Sequence, residues 1–542
     1  MIELRRIGSG ASAVRAKVTS AAVEAAGRQW GFVVLLTLLL LCQAFPFGFP
    51  MDNQNTYFLQ GLAASGYGQL SEDWLATTTS PFLIFTTIVW ALNSLGLLNL
   101  IYALHSLLYL AFAYSCSVLI RHAPGGLADN LSAKLVFLAL MAFVALGSPL
   151  LKSGLAGQYI LNAYLQPSEF GVLLVLAMAL FVAGRRYSAY ILAAAAGIFH
   201  QSYLLPGAML VVAMASYDVI IERRWRESIT GSLTALAAVL PVVIYSMITF
   251  SPTDAAVFAE SREILAVHRF PRHALPAVWF DGGEAWKLVF IALGIASAYY
   301  VNRKLMWLMA VTAGLAAVAT GIVILADSYV FYLLLPWRMS TVLMPLAAVA
   351  AILAMLKVLF EGKAAAHLAG KMARRILVAL VILPMAAEIA GNMMVHGGPA
   401  GSALAFEFVR QPSQRAYLRL VGFVARQEEP GQLYLHRPLA FMSLRIRSGR
   451  PVFVDFKSHP YGDIEVVEWW SRLRWAEALL SGQRACDATV VEEILDRRIS
   501  HIILDKVDDG LNAAELRDCF DDSGGEASLV YENSRYRVMR VR

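Results

Sequence analysis

The chain has 542 residues, of which 58% are hydrophobic and only 15% are charged, and its mean hydropathy is +0.59. Soluble globular proteins carry about 25% charged residues, so we expect most of this chain to lie in a lipid bilayer. The net charge of +6 then reflects membrane topology. The sequence has no basic patch with interleaved aromatic residues, which is the feature that would indicate a nucleic-acid partner.

Residues 1–29 are rich in Arg and Lys and precede an apolar segment at about 30–49. No small-residue cleavage site follows that segment, so it is typical of a signal anchor whose basic side stays in the cytoplasm. Ten further apolar segments predict spans, which gives about eleven in all. They lie at about 98–120, 133–151, 168–184, 188–200, 203–220, 229–250, 286–301, 305–326, 340–358 and 376–395.

The Lys and Arg residues of the short loops predict the orientation. With the N-terminus in the cytoplasm, the basic loops at 121–122, 184–186, 222–227, 302–304 and 361–375 all fall on the cytoplasmic side. The first loop, the 251–287 loop and the C-terminal tail then lie on the opposite side. We therefore predict a cytoplasmic segment 1–29, a membrane domain 30–395 with its first extracytoplasmic loop at 51–97, and an extracytoplasmic domain 396–542.

The tail has the composition of a soluble α/β domain. "QLYLH", "PVFVDF", "HIILD", "SLVYE" and "RYRVMRV" read as strands, and "IEVVEWWSRLRWAEALL" and "ATVVEEILDRR" read as helices. "PVFVDF" and "HIILD" are predicted to be the central strands. Cys486 and Cys519 either pair in an oxidising compartment or remain free, because their spacing does not determine their distance.

The first loop, "FPMDNQNTYFLQGLAASGYGQLSEDWLATTTSPF", places Asp52 directly after the first span and contains no Lys or Arg. A carboxylate at the edge of the hydrocarbon usually faces a cavity or a partner. The alternative is that Asp52 caps the helix that begins at "NQNTYF".

The order of features in this loop resembles the first extracytoplasmic loop of the GT-C superfamily of integral-membrane glycosyltransferases. An acidic residue after the first span is followed by "LAASGYGQLSEDW", by Ser80-Pro81-Phe82 at the start of a hydrophobic helix, and by a second span that ends in a basic pair at 121–122. The resemblance covers residues 30–122 and the arrangement of many spans with a soluble tail. It implies a polytopic α-helical fold with about eleven spans and a C-terminal extracytoplasmic α/β domain.

The resemblance implies an enzyme of the bacterial plasma membrane that moves a sugar from a polyprenyl-phosphate donor to a glycan, lipid or protein acceptor. Asp52 matches the position of the family's catalytic acid, and a carboxylate can accept the proton of an acceptor hydroxyl. Many members have a second acidic residue where this chain has Asn53. This difference argues against a divalent metal held by adjacent carboxylates. No cofactor is therefore assigned, and a divalent metal stays as the alternative.

Such a transfer also requires positive charge where the phosphate leaves, and Arg is the favoured phosphate ligand. Arg338 follows Pro336 and Trp337 at a predicted membrane boundary; the alternative for Arg338 is an interfacial anchor. The other candidates for the donor phosphate are Arg269, Arg272 and Lys152. Further candidates for lining the cavity are Asn53, Asn55, Tyr57, Glu72, Asp73, His200, Gln201 and His268.

Two other functions remain possible from the sequence. An O-antigen-type polymerase or ligase would explain the basic segment "SREILAVHRFPRH" but not the Asp52 loop. A transporter or assembly protein without chemistry would be expected to carry charged residues inside its spans. Lys457 and His459, in the segment "FVDFKSHPYGD", either lie on the surface of the tail or face the cavity.

Overall fold

The structure of the protein is a computed structural model that describes residues 29–42, 49–147, 153–361, 370–396 and 412–542. These residues form two compact units. The first unit contains residues 29–42, 101–147, 153–243, 271–361 and 370–393, and the second contains residues 49–100, 244–270, 394–396 and 412–542. The basic N-terminal segment and Lys152 lie outside the described residues.

The first unit is helical. Its principal helices lie wholly or mainly within it: Gln29–Leu41, Leu100–Arg121, Leu131–Gly147, Val172–Val182, Arg186–Phe199, Leu204–Ser216, Trp225–Thr249, Gly282–Val301, Arg303–Ala326, Ser340–Glu361 and Lys371–His396. Short helices at Pro271–Ala274, Pro276–Trp279 and Tyr329–Tyr332 connect them, together with 3-10 turns at Leu155–Gly157, Pro167–Gly171, Gln201–Tyr203 and Pro336–Met339 and a π-turn at Tyr217–Ile221.

Six segments in the described part of the chain are long and apolar enough to cross a membrane, which makes this an integral membrane protein. They are Leu100–Arg121, Gln201–Ile221, Trp225–Thr249, Gly282–Val301, Arg303–Ala326 and Tyr329–Glu361. The predicted spans at 30–49, 133–151, 168–184 and 188–200 correspond to shorter helices, and the one at 376–395 lies within Lys371–His396. The prediction of a many-span helical protein is therefore confirmed, and six spans have full length.

The predicted spans at 188–200 and 203–220 are two separate helices that meet near His200. Arg186–Phe199 ends where His200 adopts an extended backbone, and Leu204–Ser216 begins after one 3-10 turn. Pro206 lies in the first turn of the second helix, where its missing N–H has no intrahelical partner to lose. The break therefore occurs at His200, before the proline.

Close helix packing in the first unit depends on small residues. A Cβ atom added to Gly294 would lie 2.2 Å from the Cβ atom of Ala347, so Gly282–Val301 and Ser340–Glu361 approach each other directly through their backbones. Small residues at such positions allow membrane helices to gain van der Waals contact without a hydrophobic driving force. Both helices pack into one core whose apolar side chains are fully buried, while others such as Leu325 remain exposed to the surroundings of the bundle.

The second unit begins with the residues of the first loop. Short helices Gln54–Tyr57 and Leu59–Ala64 precede 3-10 turns at Leu70–Glu72 and Leu75–Thr77. The predicted hydrophobic helix then follows directly after Phe82, as Leu83–Ser94. The remaining helices are Ala255–Glu263, Pro412–Ala425, Leu444–Ser448, Asp463–Leu480, Ala488–Asp496 and Ala513–Asp522, with a π-turn at Ile264–Arg269.

The tail contains a four-stranded mixed sheet with strands β1 Tyr434–Leu435, β2 His501–Asp505, β3 Ala527–Glu532 and β4 Tyr536–Val541. The order is β1-β2-β4-β3; β1 and β2 are parallel, and the other pairs are antiparallel. "HIILD" is a central strand as predicted, since β2 pairs on both sides. The two predicted helices at 464–480 and 488–498 are present as Asp463–Leu480 and Ala488–Asp496.

The prediction that "PVFVDF" is a central strand is wrong. Its only ladder contact in the described residues is an isolated bridge between Val452 and Tyr434. Val452, Phe453 and Val454 are all buried although they are consecutive, whereas a strand with one solvated face would alternate. A short apolar run can arise from a buried loop as well as from a strand, and periodicity does not separate the two.

The structure forms the disulfide that the sequence left undecided. Cys486 and Cys519 are bonded, with their Cα atoms 5.8 Å apart. This bond joins the start of Ala488–Asp496 to Ala513–Asp522. Disulfides persist in oxidising compartments, so this bond favours an extracytoplasmic tail.

Two of the predicted cytoplasmic loops lie at the same end of the first unit. Arg121, His122 and Arg185 line one cavity of about 480 Å³. This juxtaposition is what the distribution of positive charge requires, since both loops were assigned to one side of the membrane.

We expect cysteine labelling of intact cells to place the first loop and the tail outside the cytoplasm. Cysteines introduced at Ser71 and at Val507, which is 74% exposed, should react with a membrane-impermeant maleimide. A cysteine at Arg226, in the basic loop 222–227, should react only after permeabilisation. The background should be low because Cys42 and Cys116 are buried and the other two cysteines are bonded. Protection at Ser71 or Val507 in intact cells would contradict this topology.

Candidate functional site

Asp52 forms an ion pair and does not occupy the N-cap of the first-loop helix. The N-cap of Gln54–Tyr57 is Asn53, whose side chain makes no capping hydrogen bond. The Asp52 carboxylate is 49% exposed and pairs with the ammonium of Lys457. Its backbone is left-handed, with φ at 32°, a conformation that Asp tolerates better than most residues. The helix-cap alternative is therefore not the arrangement in this structure.

The segment that carries Lys457 is held against the first loop by its main chain. The carbonyl oxygen of Lys457 accepts hydrogen bonds from Thr56 Oγ1 at 2.9 Å and from Arg269 Nη2 at 2.7 Å. Ser458 Oγ donates to the carbonyl of Asn55 at 3.0 Å, and Asn55 Nδ2 donates to the carbonyl of Asp52 at 2.9 Å. Three separate stretches of the chain thus meet at one peptide group.

Aromatic rings enclose this meeting point. Tyr57 contacts Phe82 edge-to-face with centroids 4.9 Å apart, and Phe82 contacts Tyr461 at 5.4 Å. The ring of His459 lies 4.8 Å from that of Tyr461 and 4.9 Å from that of Phe270. His459 is only 3% exposed, so the alternative that places it on the surface does not hold.

Burial decides the protonation of these groups. It lowers the pKa of Lys457, although Asp52 acts in the opposite direction, and it lowers the pKa of the Arg269 guanidinium. Burial also holds the pKa of His459 well below its usual range and raises that of Tyr461 well above it. At neutral pH, His459 and Tyr461 are therefore uncharged. The ion pair of Asp52 with Lys457 and the Arg269 guanidinium lie in the same cluster.

A second set of buried charges anchors the same segment. Arg445 Nε donates to Asp73 Oδ2 at 2.7 Å, and Arg445 also pairs with Asp455. Asp73 accepts further hydrogen bonds from the backbone N–H groups of Leu75 at 2.9 Å and Val452 at 2.9 Å. Asp455 in turn accepts from the N–H of Ser458 at 2.6 Å. Asp73, a predicted cavity residue, is fully enclosed by these partners.

The other first-loop and 251–287 candidates occupy varied positions. Glu72 is exposed and accepts a hydrogen bond from the N–H of Gly431 at 3.0 Å. His268 is exposed and stacks on Trp470 with centroids 4.4 Å apart. Arg272 lies in the short helix Pro271–Ala274 of the first unit and is exposed.

In the first unit, Arg338 is half-buried over the ring of Tyr203, with its guanidinium carbon 5.0 Å from the ring centroid. Its buried Nε has no hydrogen-bond partner among the described residues. Tyr203 donates to the carbonyl of Ser168 at 2.7 Å, which fixes the ring. His200 lies close by, 5.7 Å from Tyr203, and Gln201 begins the following 3-10 turn.

An apolar cavity of about 610 Å³ is lined by residues that are close neighbours of Arg338 in the sequence. Trp337 and Ser340, its near neighbours, line the cavity together with Trp279. Trp337 donates its indole N–H to the carbonyl of His273 at 2.8 Å, so the cavity wall is fixed by a hydrogen bond. The remaining lining is aliphatic, from Leu155, Leu288, Ile291, Ala313, Ala316, Ala317, Ile324 and Leu343 among others.

The sequence reading missed a buried pair of ionisable residues in the first unit. His105 Nδ1 lies 2.8 Å from Glu169 Oε2; His105 is 5% exposed and Glu169 is fully buried. The N–H of Asn162 donates to the other Glu169 oxygen at 3.2 Å, and Tyr109 donates to the carbonyl of Asn162 at 2.5 Å. A histidine inside one predicted span and a glutamate at the start of another were the available signals. Two of the predicted spans therefore contain ionisable residues that pair with each other.

The described residues contain no group of three or more His, Cys, Asp or Glu side chains that could hold a metal ion. Sequence analysis raised the question of a divalent metal at Asp52, and in the structure the Asp52 carboxylate forms an ion pair with the ammonium of Lys457. A cation site would require that this ammonium be displaced.

Comparison with known proteins finds a family model that matches part of the tail and solved structures that resemble the chain. Residues 415–476 match the model of DUF6798, a domain of unknown function. No curated protein sequence matches the chain. The crystal structure of ArnT from Cupriavidus metallidurans bound to undecaprenyl phosphate is similar with a TM-score of 0.46 and 14% sequence identity, over 98% of this chain and 98% of that chain.

At this identity and TM-score the similarity says nothing about individual side chains. The function proposed for this chain therefore depends on the contacts of its own residues.

We expect Arg445 to be essential for the stability of the second unit. Arg445→Met would leave Asp73 and Asp455 buried without their cation, and such a loss costs about 3–5 kcal/mol. The thermal midpoint of the purified full-length protein should fall clearly. Arg537→Met, which removes an exposed pair with Glu532, should leave the thermal midpoint almost unchanged. Equal midpoints for the two variants would show that the buried cluster is not an anchor.

Proposed function

We propose that the protein is a membrane glycosyltransferase that moves a sugar from a polyprenyl-phosphate-type donor to an extracytoplasmic acceptor. The observation that carries the proposal is the pairing of a lipid-compatible cavity with a cation in the first unit. The cavity of about 610 Å³ is lined almost wholly by apolar side chains, and Arg338 follows Trp337 of its wall. A lipid phosphate has two parts that match them: an apolar chain, which suits the cavity, and an anionic head, which suits the cation.

Arg338 is suited to hold that head. Its guanidinium is oriented by Tyr203, and its buried Nε has no protein acceptor in the described residues. A buried donor without a partner is costly, and a phosphate oxygen would satisfy it. The planar fork of Arg can bind two phosphate oxygens at once, which Lys cannot do.

Asp52 supplies the base in this proposal. Its carboxylate is half exposed, so an acceptor hydroxyl can approach it, while Asn55 and the Lys457 segment hold its backbone in place. Proton transfer to a carboxylate requires a heavy-atom distance of about 2.6–3.2 Å to the hydroxyl in the complex. The positive charge of Arg269 in the same cluster would favour a negative substrate there.

We place this reaction on the extracytoplasmic face. The disulfide between Cys486 and Cys519 and the positions of the basic loops support that location. The same features support an orientation with the N-terminus in the cytoplasm.

We expect Asp52→Asn to abolish most of the transfer without unfolding the protein. Loss of a general base typically costs about 10²–10⁴ in rate. The measurement is turnover of a lipid-phosphate sugar by purified protein in nanodiscs, with thermal melting as the test of folding. The matched control is Glu72→Gln, since Glu72 is an exposed carboxylate of the same loop. Full transfer by Asp52→Asn would rule Asp52 out as the base.

We expect Arg338→Lys to weaken donor binding more than folding, because the charge is kept and the planar fork is lost. Undecaprenyl phosphate, the lipid in the ArnT crystal structure, serves as the probe. Its dissociation constant should rise about tenfold, the effect of losing one charge-assisted hydrogen bond. Arg303→Lys, at an exposed helix start, should leave binding unchanged. Unchanged binding by Arg338→Lys would contradict the assignment.

A further inference from the structure

Lys457 combines a fixed main chain with a side chain that can change partners. Its carbonyl accepts two hydrogen bonds, from Thr56 and Arg269, and the next residue, Ser458, is bonded on both sides. The ammonium sits at the end of a flexible four-carbon stem. The backbone therefore holds the side chain at one place while the ammonium can move by a few ångströms.

The surroundings of this ammonium favour a second anion. Lys457 and Arg269 are both partly buried cations, and burial disfavours the charge of each. The Nε of Arg269 has no hydrogen-bond partner among the described residues, and the same holds for both ring nitrogens of His459. Asp455, the other nearby carboxylate, is engaged by Arg445. Asp52 is the carboxylate that pairs directly with Lys457, and it is half exposed.

We propose that Lys457 is a ligand of the donor phosphate and that Asp52 and the phosphate compete for it. When a phosphate binds, the ammonium turns from the Asp52 carboxylate to a phosphate oxygen, and Asp52 is released to accept the proton of the acceptor. The step exchanges ion-pair partners: Lys457 stays protonated and no covalent bond changes. This inference rests on the proposed function, and it names the group that couples donor binding to the availability of the base.

The coupling makes the base available only when the donor is bound. A carboxylate paired with an ammonium is a poor proton acceptor, because proton uptake would break the pair. Asp52 would therefore become an effective base only when a donor phosphate is present.

Competition makes a prediction that a purely structural salt bridge does not make. If the phosphate must take Lys457 from Asp52, then removal of the Asp52 charge should strengthen phosphate binding. A partly exposed ion pair contributes up to about 1 kcal/mol, so Asp52→Asn should lower the dissociation constant about two- to fivefold. A structural bridge would give weaker or unchanged binding.

The test is a double-mutant cycle on full-length protein in nanodiscs, with native mass spectrometry of bound undecaprenyl phosphate. Lys457→Gln should raise the dissociation constant about tenfold, as expected for a lost charge-assisted hydrogen bond. Asp52→Asn with Lys457→Gln should bind like Lys457→Gln alone, because the gain from Asp52→Asn requires the ammonium. Lys457→Arg should restore binding, which guards against an effect of misfolding.

Lys506→Gln is the matched control, since Lys506 is a lysine of the same unit that pairs with Glu532 at 2.5 Å. It should bind the lipid like the wild type. The binding of undecaprenol, which lacks the phosphate, should not depend on Lys457. Inorganic phosphate should compete with undecaprenyl phosphate, and its affinity should rank the variants in the same order. The same order with undecaprenol would overturn the inference, because the recognised group would not be phosphate.

The outcomes separate the two proposals. If the wild type does not bind undecaprenyl phosphate, the proposed donor class fails, and this inference fails with it. If the wild type binds and Asp52→Asn does not bind more tightly, or if the double variant gains as much as Asp52→Asn alone, the proposed function stands and competition for Lys457 is refuted.

Discussion

The buried ion cluster of Arg445 with Asp73 and Asp455 is the constraint on which the second unit depends. Burying three charged groups is costly, and their mutual attraction offsets that cost only when every hydrogen bond is made. Here Asp73 and Asp455 also accept backbone N–H groups, so the carboxylate oxygens are satisfied on several sides. Because Asp73 belongs to the first loop and Asp455 to the tail, the cluster ties two distant parts of the chain at one point.

This tie determines where Lys457 lies. Lys457 lies two residues after Asp455, in a turn that the hydrogen bond from the N–H of Ser458 to Asp455 closes. In this turn the Lys457 ammonium pairs with Asp52. The arrangement explains why the acidic Trp-bearing turn at 73–74 and the carboxylate at 52 occur in one loop: the first provides a rigid support and the second remains half exposed. A fixed support under a mobile ammonium is the physical basis of the proposed exchange between Asp52 and phosphate.

The first unit is stabilised by a different kind of interaction. Its helices pack through small residues such as Gly294, and its large cavity is apolar, so van der Waals contact and not ion pairing dominates there. Polar groups are confined to a few positions, which include Arg338 over Tyr203 and the buried pair of His105 and Glu169. Ionisable residues in such surroundings are expensive, and this cost makes them candidates for function.

The local features of this protein follow from the sequence alone. Apolar runs of spanning length, the helix after Phe82, the central strand "HIILD" and the helix at Asp463–Leu480 are encoded by residues that are adjacent in the chain, where hydrophobicity and periodicity act. The expectation that Asp52 faces a partner also came from its position at the end of a span.

What only the tertiary structure decided was which groups meet. Lys457 is 405 positions from Asp52 by their residue numbers, Arg445 is 372 positions from Asp73, and His105 pairs with Glu169 across 64 positions. Likewise, "PVFVDF" has the composition of a strand, yet the chain there is turned into a buried loop by Asp455 and its partners. Sequence periodicity reports the burial of a face, whereas ion pairs between distant segments depend on how the chain folds back on itself, and that information is absent from any local pattern.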